Sequence, residues 1–291
     1  MDITNIVSCY LMGGLGNQLF QIFATMAYCI RYRRKMVLPY SETLDVGITR
    51  LTYWDSFLTY AKRYTTSSPD VEYTNEDLMQ LPQYREPHHH FHEIPVIQQN
   101  VLLFGYYQSY RYFEKEKEYI IALLNIQKQQ QKIKSQYSEY FDTKFDTISM
   151  HFRLGDYKEK QDYHPIMPYE YYENAMFNIL LYRPFTKPYR VLYFCEKEDN
   201  AVVNSHINRL REKYDAVEFV KVDDKIEDWK QLLLMSCCDN NIIANSSFSW
   251  WAGYLNNNPG KFVCYPNVWF GPKAGHNVED MFPCEWNYIK W

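Results

Sequence analysis

The sequence predicts an α/β protein built from Rossmann-like parallel-sheet units, and three observations carry that prediction. The second half of the chain alternates short, continuously apolar runs with amphipathic stretches, the pattern of strands buried on both faces between crossover helices. Near the N-terminus a strand, a long helix and a second strand follow one another, with a glycine-rich turn before the helix. The length, 291 residues, suits two domains or one large one and is ample for a sizeable core.

In chain order, 6–12 reads as a strand, 17–34 as a helix and 36–38 as a second strand. Residues 41–100 are rich in Tyr, Thr, Pro and polar side chains and yield no order of elements. Residues 101–107 predict a strand and 113–126 a helix, and the polar Gln- and Lys-rich stretch 127–146 reads as a domain boundary. Beyond it, 147–152 predicts a strand, and 168–181 a helix with Tyr172, Ala175, Met176 and Ile179 at helical spacing. Strands at 191–195, 217–222, 241–245 and 261–265 alternate with helices at 200–213, 226–236 and 248–255. No internal repeat is present.

Hydrophobic residues are 46% and charged residues 23% of the chain, which excludes a disordered polypeptide. Thirty-five acidic residues against 31 basic ones leave a net charge of −4, so nothing points to nucleic acid as a partner. The 28 tyrosines, 17 phenylalanines and 7 tryptophans fill cores and also stack on sugar faces. No apolar run reaches the roughly 18 residues of a transmembrane helix. Residues 1–12 lack a basic segment followed by a long apolar run, so no signal peptide is expected. Seven cysteines, without a CxxC pair and mostly within apolar stretches, read as reduced thiols of a cytoplasmic protein. The sequon at Asn245 lies between apolar runs and reads as structure.

Three motifs sit where such units bind ligands. Gly13-Gly14-Leu15-Gly16-Asn17-Gln18 joins a strand to a helix, where a ligand can approach the backbone and the positive helix end. It is not the dinucleotide fingerprint, since position 19 is Leu, and a tight turn is the plainer reading. Asn17 and Gln18 add amides able to read polar ligands. The second motif, His151-Phe152-Arg153-Leu154-Gly155-Asp156-Tyr157, follows a buried strand at its carboxyl end. His151 and Arg153 share a face of that strand, and Arg grips phosphate bidentately. An Arg153–Asp156 pair bracing the turn is the alternative. The third motif, 245–253, sets Ser246, Ser247 and Ser249 around a helix start, which serves capping and anion binding alike, with Trp250 and Trp251 as core. The cluster His88, His89, His90 and His92 fits no standard zinc spacing and reads as an exposed loop. The basic run Arg31, Arg33, Arg34 and Lys35 suits a helix C-terminus.

Taken in order, segments 13–21, 151–157 and 245–255 resemble the α-1,2-fucosyltransferase family, glycosyltransferase family 11. Weaker matches lie at 104–109 with Tyr112 and Phe113, at Tyr171, Tyr172 and Ala175, and at 234–236 and 241–245. The resemblance spans about residues 10–270. It departs from the family at Leu154, where a second arginine is usual, and across 41–100, where acceptor specificity is expected.

The resemblance implies a GT-B fold, two facing Rossmann-like domains with the active site in the cleft. It implies an acceptor-side domain at 1–145 and a nucleotide-sugar domain at 146–291, with the C-terminal tail allowed to pack back on the first. It further implies inverting transfer of L-fucose from GDP-fucose, as donor substrate, to the 2-hydroxyl of a galactose-terminated glycan. Neither cofactor nor metal is expected, and the sequence has no DxD motif, its acidic pairs Glu198-Asp199 and Asp223-Asp224 being adjacent. Arg153 and the helix start at Ser246, Ser247 and Phe248 are then expected on the diphosphate, with Gly14, Gly16, Asn17 and Gln18 touching donor and acceptor, and Asp228 on the guanine. Asp156, Glu159 and Asp162 are the candidates for the base, and His151 belongs to the same catalytic motif. The competing readings are another nucleotide sugar or linkage, a carbohydrate-binding protein, and a dehydrogenase, against which the absent GxGxxG argues.

Overall fold

The computed structural model describes residues 5–45, 47–183 and 187–291; the first four residues of the N-terminal stretch read for a leader lie outside them. The chain divides into two compact units, Met1–Gln127 with His276–Pro283, and Lys128–Gly275 with Cys284–Trp291.

The first unit contains β1 (Ile6–Cys9), α1 (Leu15–Tyr32), β2 (Lys35–Met36), the short antiparallel pair β3 (Thr43–Leu44) and β4 (Arg50–Leu51), α2 (Asn75–Met79), β5 (Gln83–Arg85), β6 (Val101–Phe104) and α3 (Lys117–Leu123). Its sheet is parallel throughout, in the order β2-β1-β6-β5. The segment that yielded no order, 41–100, thus supplies an edge strand and a hairpin. Glu86, just after β5, is a half-buried carboxylate whose Oε2 accepts the backbone N–H groups of Tyr106 (2.8 Å) and Tyr107 (2.9 Å). Its Oε1 accepts the Tyr112 hydroxyl at 3.2 Å. It therefore ties down the loop after β6, in which Tyr107 takes a left-handed backbone (φ 53°).

The second unit contains α4 (Ile126–Gln136), β7 (Asp146–His151), α5 (Tyr169–Tyr182), β8 (Tyr189–Phe194), α6 (Asn200–Lys213), β9 (Glu218–Lys221), α7 (Asp228–Ser236), β10 (Asn240–Ile242), α8 (Ser247–Leu255), β11 (Val263–Pro266) and β12 (Asn287–Ile289). All six strands are parallel, in the order β12-β11-β10-β7-β8-β9. Counted within the unit this is the 3-2-1-4-5-6 order of a dinucleotide-type Rossmann sheet, whose direction of winding reverses between β7 and β10. Ile148, Met150 and Ile242 join the side chains of α5 and α6 in one core cluster. The alternate residues face α7, where Asn241 Nδ2 donates to Ser149 Oγ and to the Met235 carbonyl, both at 2.8 Å. The supposed linker 127–146 is largely helical. Its polar composition hides Gln130, buried and donating to Ser236 Oγ (2.9 Å) and the Leu255 carbonyl (3.0 Å), so residues 128–145 belong with the second unit. Strand β12, three residues without a visible period, was not anticipated.

Two predictions follow from these buried polar contacts. Asn241 is fully buried, and its Oδ1 also accepts from Asn256 at 2.8 Å. Asn241→Ala leaves Asn256 and Ser149 without these partners and is expected to cost about 1–3 kcal/mol, read as a lower midpoint in urea unfolding; an unchanged midpoint would show the network to be dispensable. For Glu86, burial is the largest influence and pushes the carboxyl from 4.5 up to about 7, against the pull of the donated hydrogen bonds. The folded state thus takes up a proton that the unfolded chain has released, so this group's contribution is full below about pH 4.5 and is lost as pH rises through about 7. The melting temperature should fall across that window by the equivalent of about 3 kcal/mol. Glu86→Gln should flatten the slope, and a variant with the wild-type slope would refute the assignment.

Candidate active site

The second motif begins where β7 ends. His151 is the last strand residue and is buried. Burial first, then the charges of Arg153 and Lys221, push its imidazole down to about 3, so the ring is neutral. His151 packs on Phe248 of α8, ring centres 5.6 Å apart. That contact brings the second and third motifs together at the strand-order reversal of this sheet, where open α/β sheets bind ligands.

Arg153 follows two residues beyond, its side chain 21% exposed. The guanidinium lies over the Tyr157 ring, 5.0 Å from its centre. It pairs with Asp156 at 2.5 Å and with Glu196, at the end of the neighbouring strand β8. The Arg–Asp brace is therefore present, and it belongs to a larger cluster. Asp199, with a side chain only 1% exposed, accepts the Gly155 N–H at 2.9 Å and pairs with Lys158 at 2.5 Å. Gly155 has φ 38°, and a Cβ there would meet Glu196 Oε2 at 2.7 Å, so the turn requires glycine. Leu154, where the family usually has arginine, is buried in the core cluster.

The third motif opens α8. Asn245 Nδ2 anchors the turn to the carbonyls of Pro165 (2.8 Å) and Trp269 (3.2 Å), and the Asn245 carbonyl accepts the Tyr157 hydroxyl at 3.2 Å. Ser246 is the cap residue, yet its side chain makes no capping bond. Ser246 is buried at this helix start, with Ser247 in the first turn.

The remaining carboxylates of the second unit are placed apart. Glu159 is exposed at the end of the short helical turn Gly155–Glu159. Asp162 is exposed and pairs with Lys273 at 2.5 Å. Asp228 is exposed at the start of α7, where its carboxylate accepts the Trp229 N–H at 2.7 Å.

In the first unit the glycine loop precedes α1. Gly13 has φ 79°, and a Cβ there would meet Asn17 Nδ2 at 2.4 Å. Gly14 caps the helix without a side chain, and a Cβ on it would meet nothing, so the approach to the helix end is open. Gly16 is buried in the first turn. Asn17 Oδ1 accepts from Gln108 Nε2 at 2.8 Å, which joins the first turn of α1 to the loop after β6, the strand beside β1. Gln18 is fully buried, its amide donating to the carbonyls of Gly13 (3.0 Å) and Leu51 (2.9 Å), so it shapes the loop. The histidine segment is only partly an exposed loop: His89 stacks on His276 at 4.4 Å. Among the described residues no group of His, Cys, Asp and Glu is arranged to hold a metal ion.

Sequence reasoning missed Glu196 and Glu86 and gave Asp199 no role. All three carboxylates act on a motif from a different segment, and only the strand pairing reveals them.

These features agree with what the chain is similar to. A model of glycosyl transferase family 11 matches residues 5–290. The O-antigen biosynthesis glycosyltransferase WbnK of Escherichia coli is 27% identical over 96% of this chain and 98% of its own length. An alpha-1,2-colitosyltransferase of Escherichia coli is 26% identical over 98% of this chain and 99% of its own. In fold, the structure of POFUT1 in complex with GDP aligns with a TM-score of 0.52 at 14% identity, covering 91% of this chain and 98% of that one. The fold is of the GT-B type, with Rossmann-like parallel sheets. Among the described residues no helix is long and apolar enough to cross a membrane. The chain belongs to glycosyl transferase family 11 and is a glycosyltransferase.

Proposed function

We propose that this protein transfers L-fucose from GDP-fucose to the 2-hydroxyl of a terminal galactose of a glycan, with inversion, in the cytoplasm. The observation that carries the reading is Arg153, a guanidinium on a rigid strand end whose motif meets a helix start with an unused cap residue. A fixed planar cation and open helix amides suit a diphosphate. The name of one relative, an alpha-1,2-transferase, supports the linkage.

In this reading the second unit takes the nucleotide sugar and the first serves the acceptor side. Arg153, Ser246 and Ser247 stabilise the departing diphosphate, which gains charge as the glycosidic bond breaks. Phe248 is set in place by His151, which is too weak a base at about 3 to take the acceptor proton. Asp228 pairs with the guanine. Gly14, Gly16 and Asn17 bring the backbone and one amide to the sugars, on a loop shaped by Gln18. Asp156 orients Arg153. Of the remaining candidates for the base, Asp162 is engaged by Lys273, while Glu159 makes no ion pair among the described residues, which favours Glu159.

The colitosyl relative favours a second reading, the same linkage made with a different donor sugar. Incubation with GDP-fucose and a panel of terminal galactosides, read by mass and linkage analysis, separates the two. The expected product is a 2-linked fucoside formed equally well in EDTA. No product from GDP-fucose would favour the second reading, and a loss in EDTA restored by Mn²⁺ would overturn metal-free handling of the leaving group.

Arg153→Ala is expected to lower turnover by at least about 10²–10³. Removing the guanidinium also leaves Asp156 and Glu196 without their shared cation beside the diphosphate, Asp156 keeping only the longer contact to Lys160 at 4.0 Å. Arg153→Lys should not rescue fully, since a point charge cannot serve two carboxylates and a phosphate as a planar fork does. The measurement is steady-state transfer with circular dichroism to confirm folding; a folded Arg153→Ala enzyme losing far less would refute the role.

A further inference from the structure

The basic run at the end of α1 borders a cavity that glycosyl transfer leaves unused. The cavity, about 730 Å³, lies in the first unit and is floored by apolar side chains including Met26, Ile30, Met36, Val71 and Leu123. Arg33, Arg34, Lys35 and Arg63 stand around it, with Asp70 as the one acidic neighbour. In a chain whose net charge is −4, this is a local reversal of sign. Along α1, at 1.5 Å per residue, the nearest lining residue, Met26, is about 14 Å from Asn17 and Arg33 about 24 Å, so the cavity is separate from the glycine loop.

Helix geometry explains only part of this charge. Arg31, the first of the run, is neutralised by Glu116 at 2.7 Å. Cations at a helix C-terminus answer the negative end of the dipole, which accounts for Arg33. Arg63 comes from a different segment and lies over the Tyr64 ring at 4.9 Å, so the dipole does not account for it. Arg33, Lys35 and Arg63 are exposed and make no ion pair among the described residues. Arg34 donates through Nη2 to the Ile97 carbonyl at 3.0 Å, while its buried Nε has no partner. An apolar floor under unpaired cations is complementary to a molecule with an apolar chain and an anionic head. The volume is within the roughly 300–1,000 Å³ of small-molecule sites.

We propose that this cavity binds one molecule of an anionic amphiphile, its chain on the apolar floor and a phosphate-type head against Arg33, Arg34, Lys35 and Arg63. The test is calorimetric titration of the full chain with dodecyl phosphate below its micellar concentration, with dodecanol and inorganic phosphate as the separated halves. One-to-one saturable binding of dodecyl phosphate is expected, at least about tenfold tighter than either half. Arg33→Ala combined with Arg63→Ala should weaken it by about tenfold or more with unchanged circular dichroism, and Lys115→Ala, at an exposed lysine outside the cavity lining, should leave it unaltered. Absence of saturable binding, or equal binding by the double variant, would overturn the proposal. So would association with phosphatidylglycerol vesicles without binding of the monomer, which would assign the charges to a bilayer surface. A dimer that covers this face in light scattering, and is lost in the double variant, would overturn it in favour of a second copy.

Discussion

The pairing of β7 with β10 is the contact on which the candidate site depends. These strands are distant in sequence yet adjacent in the sheet, with Asn240, Asn241 and Ile242 opposite Ile148, Ser149 and Met150. Two side-chain links fix that register. Asp239 accepts from the Thr147 N–H (2.7 Å) and hydroxyl (2.9 Å), and Asn241 bonds Ser149 at 2.8 Å. A slip of one residue would exchange the faces of β10. It would bury Asn241 against the apolar cluster and move the start of α8 away from His151. From β7 the chain proceeds towards β8 and β9, and from β10 towards β11 and β12. The two following loops therefore diverge and leave a crevice at their origin, and the motifs that emerge there carry the cation and the start of α8.

The electrostatics of that crevice are arranged around a cation already held by acids. Arg153 has two carboxylate partners, Asp156 and Glu196, and Asp199 binds the same turn through Gly155 and Lys158. Such a cluster holds the guanidinium in place before a ligand arrives, so less side-chain freedom is lost on binding. It also raises the demand on the ligand. An anion approaching Arg153 must outweigh two neighbouring negative charges, which a diphosphate with additional helix amides can do better than a single weak acceptor. This balance explains why the arginine alone does not define the site and why the uncapped Ser246 matters.

The elements and motifs of the second unit were legible because their signals are local. Buried parallel strands are apolar throughout, and glycine, arginine and serine clusters at strand ends are visible without knowing the sheet. What was not legible is the pairing. Glu196 and Asp199 follow β8, and nothing near them in sequence links them to Arg153 until β8 lies beside β7. Glu86 is likewise hidden in a polar stretch and gains its role only when β5 pairs with β6. Helix α4 was missed because its Gln- and Lys-rich surface outweighs the few residues it buries, Gln130 among them. Strand β12 is too short to show a period, so its place at the sheet edge depends wholly on β11.

The two units place different chemistry beyond the ends of their central strands, and the difference supports their proposed division of labour. In the first unit β1 and β6 are adjacent and parallel. The segments that follow them meet through neutral amides, Gln108 to Asn17, with Gly13 shaping the first and Glu86 holding the second. No ion pair links these loops among the described residues. In the second unit the corresponding place holds a guanidinium, three carboxylates and an uncapped helix. Neutral amides discriminate hydroxyl groups by geometry and add little charge, whereas a fixed cation stabilises charge that develops during reaction. A sugar acceptor needs the former and a departing diphosphate the latter. The sequence departure at Leu154 sharpens the contrast: with that position given to the core, Arg153 is the one guanidinium the motif offers. In the proposed mechanism, leaving-group stabilisation falls on that side chain together with the amides at the start of α8.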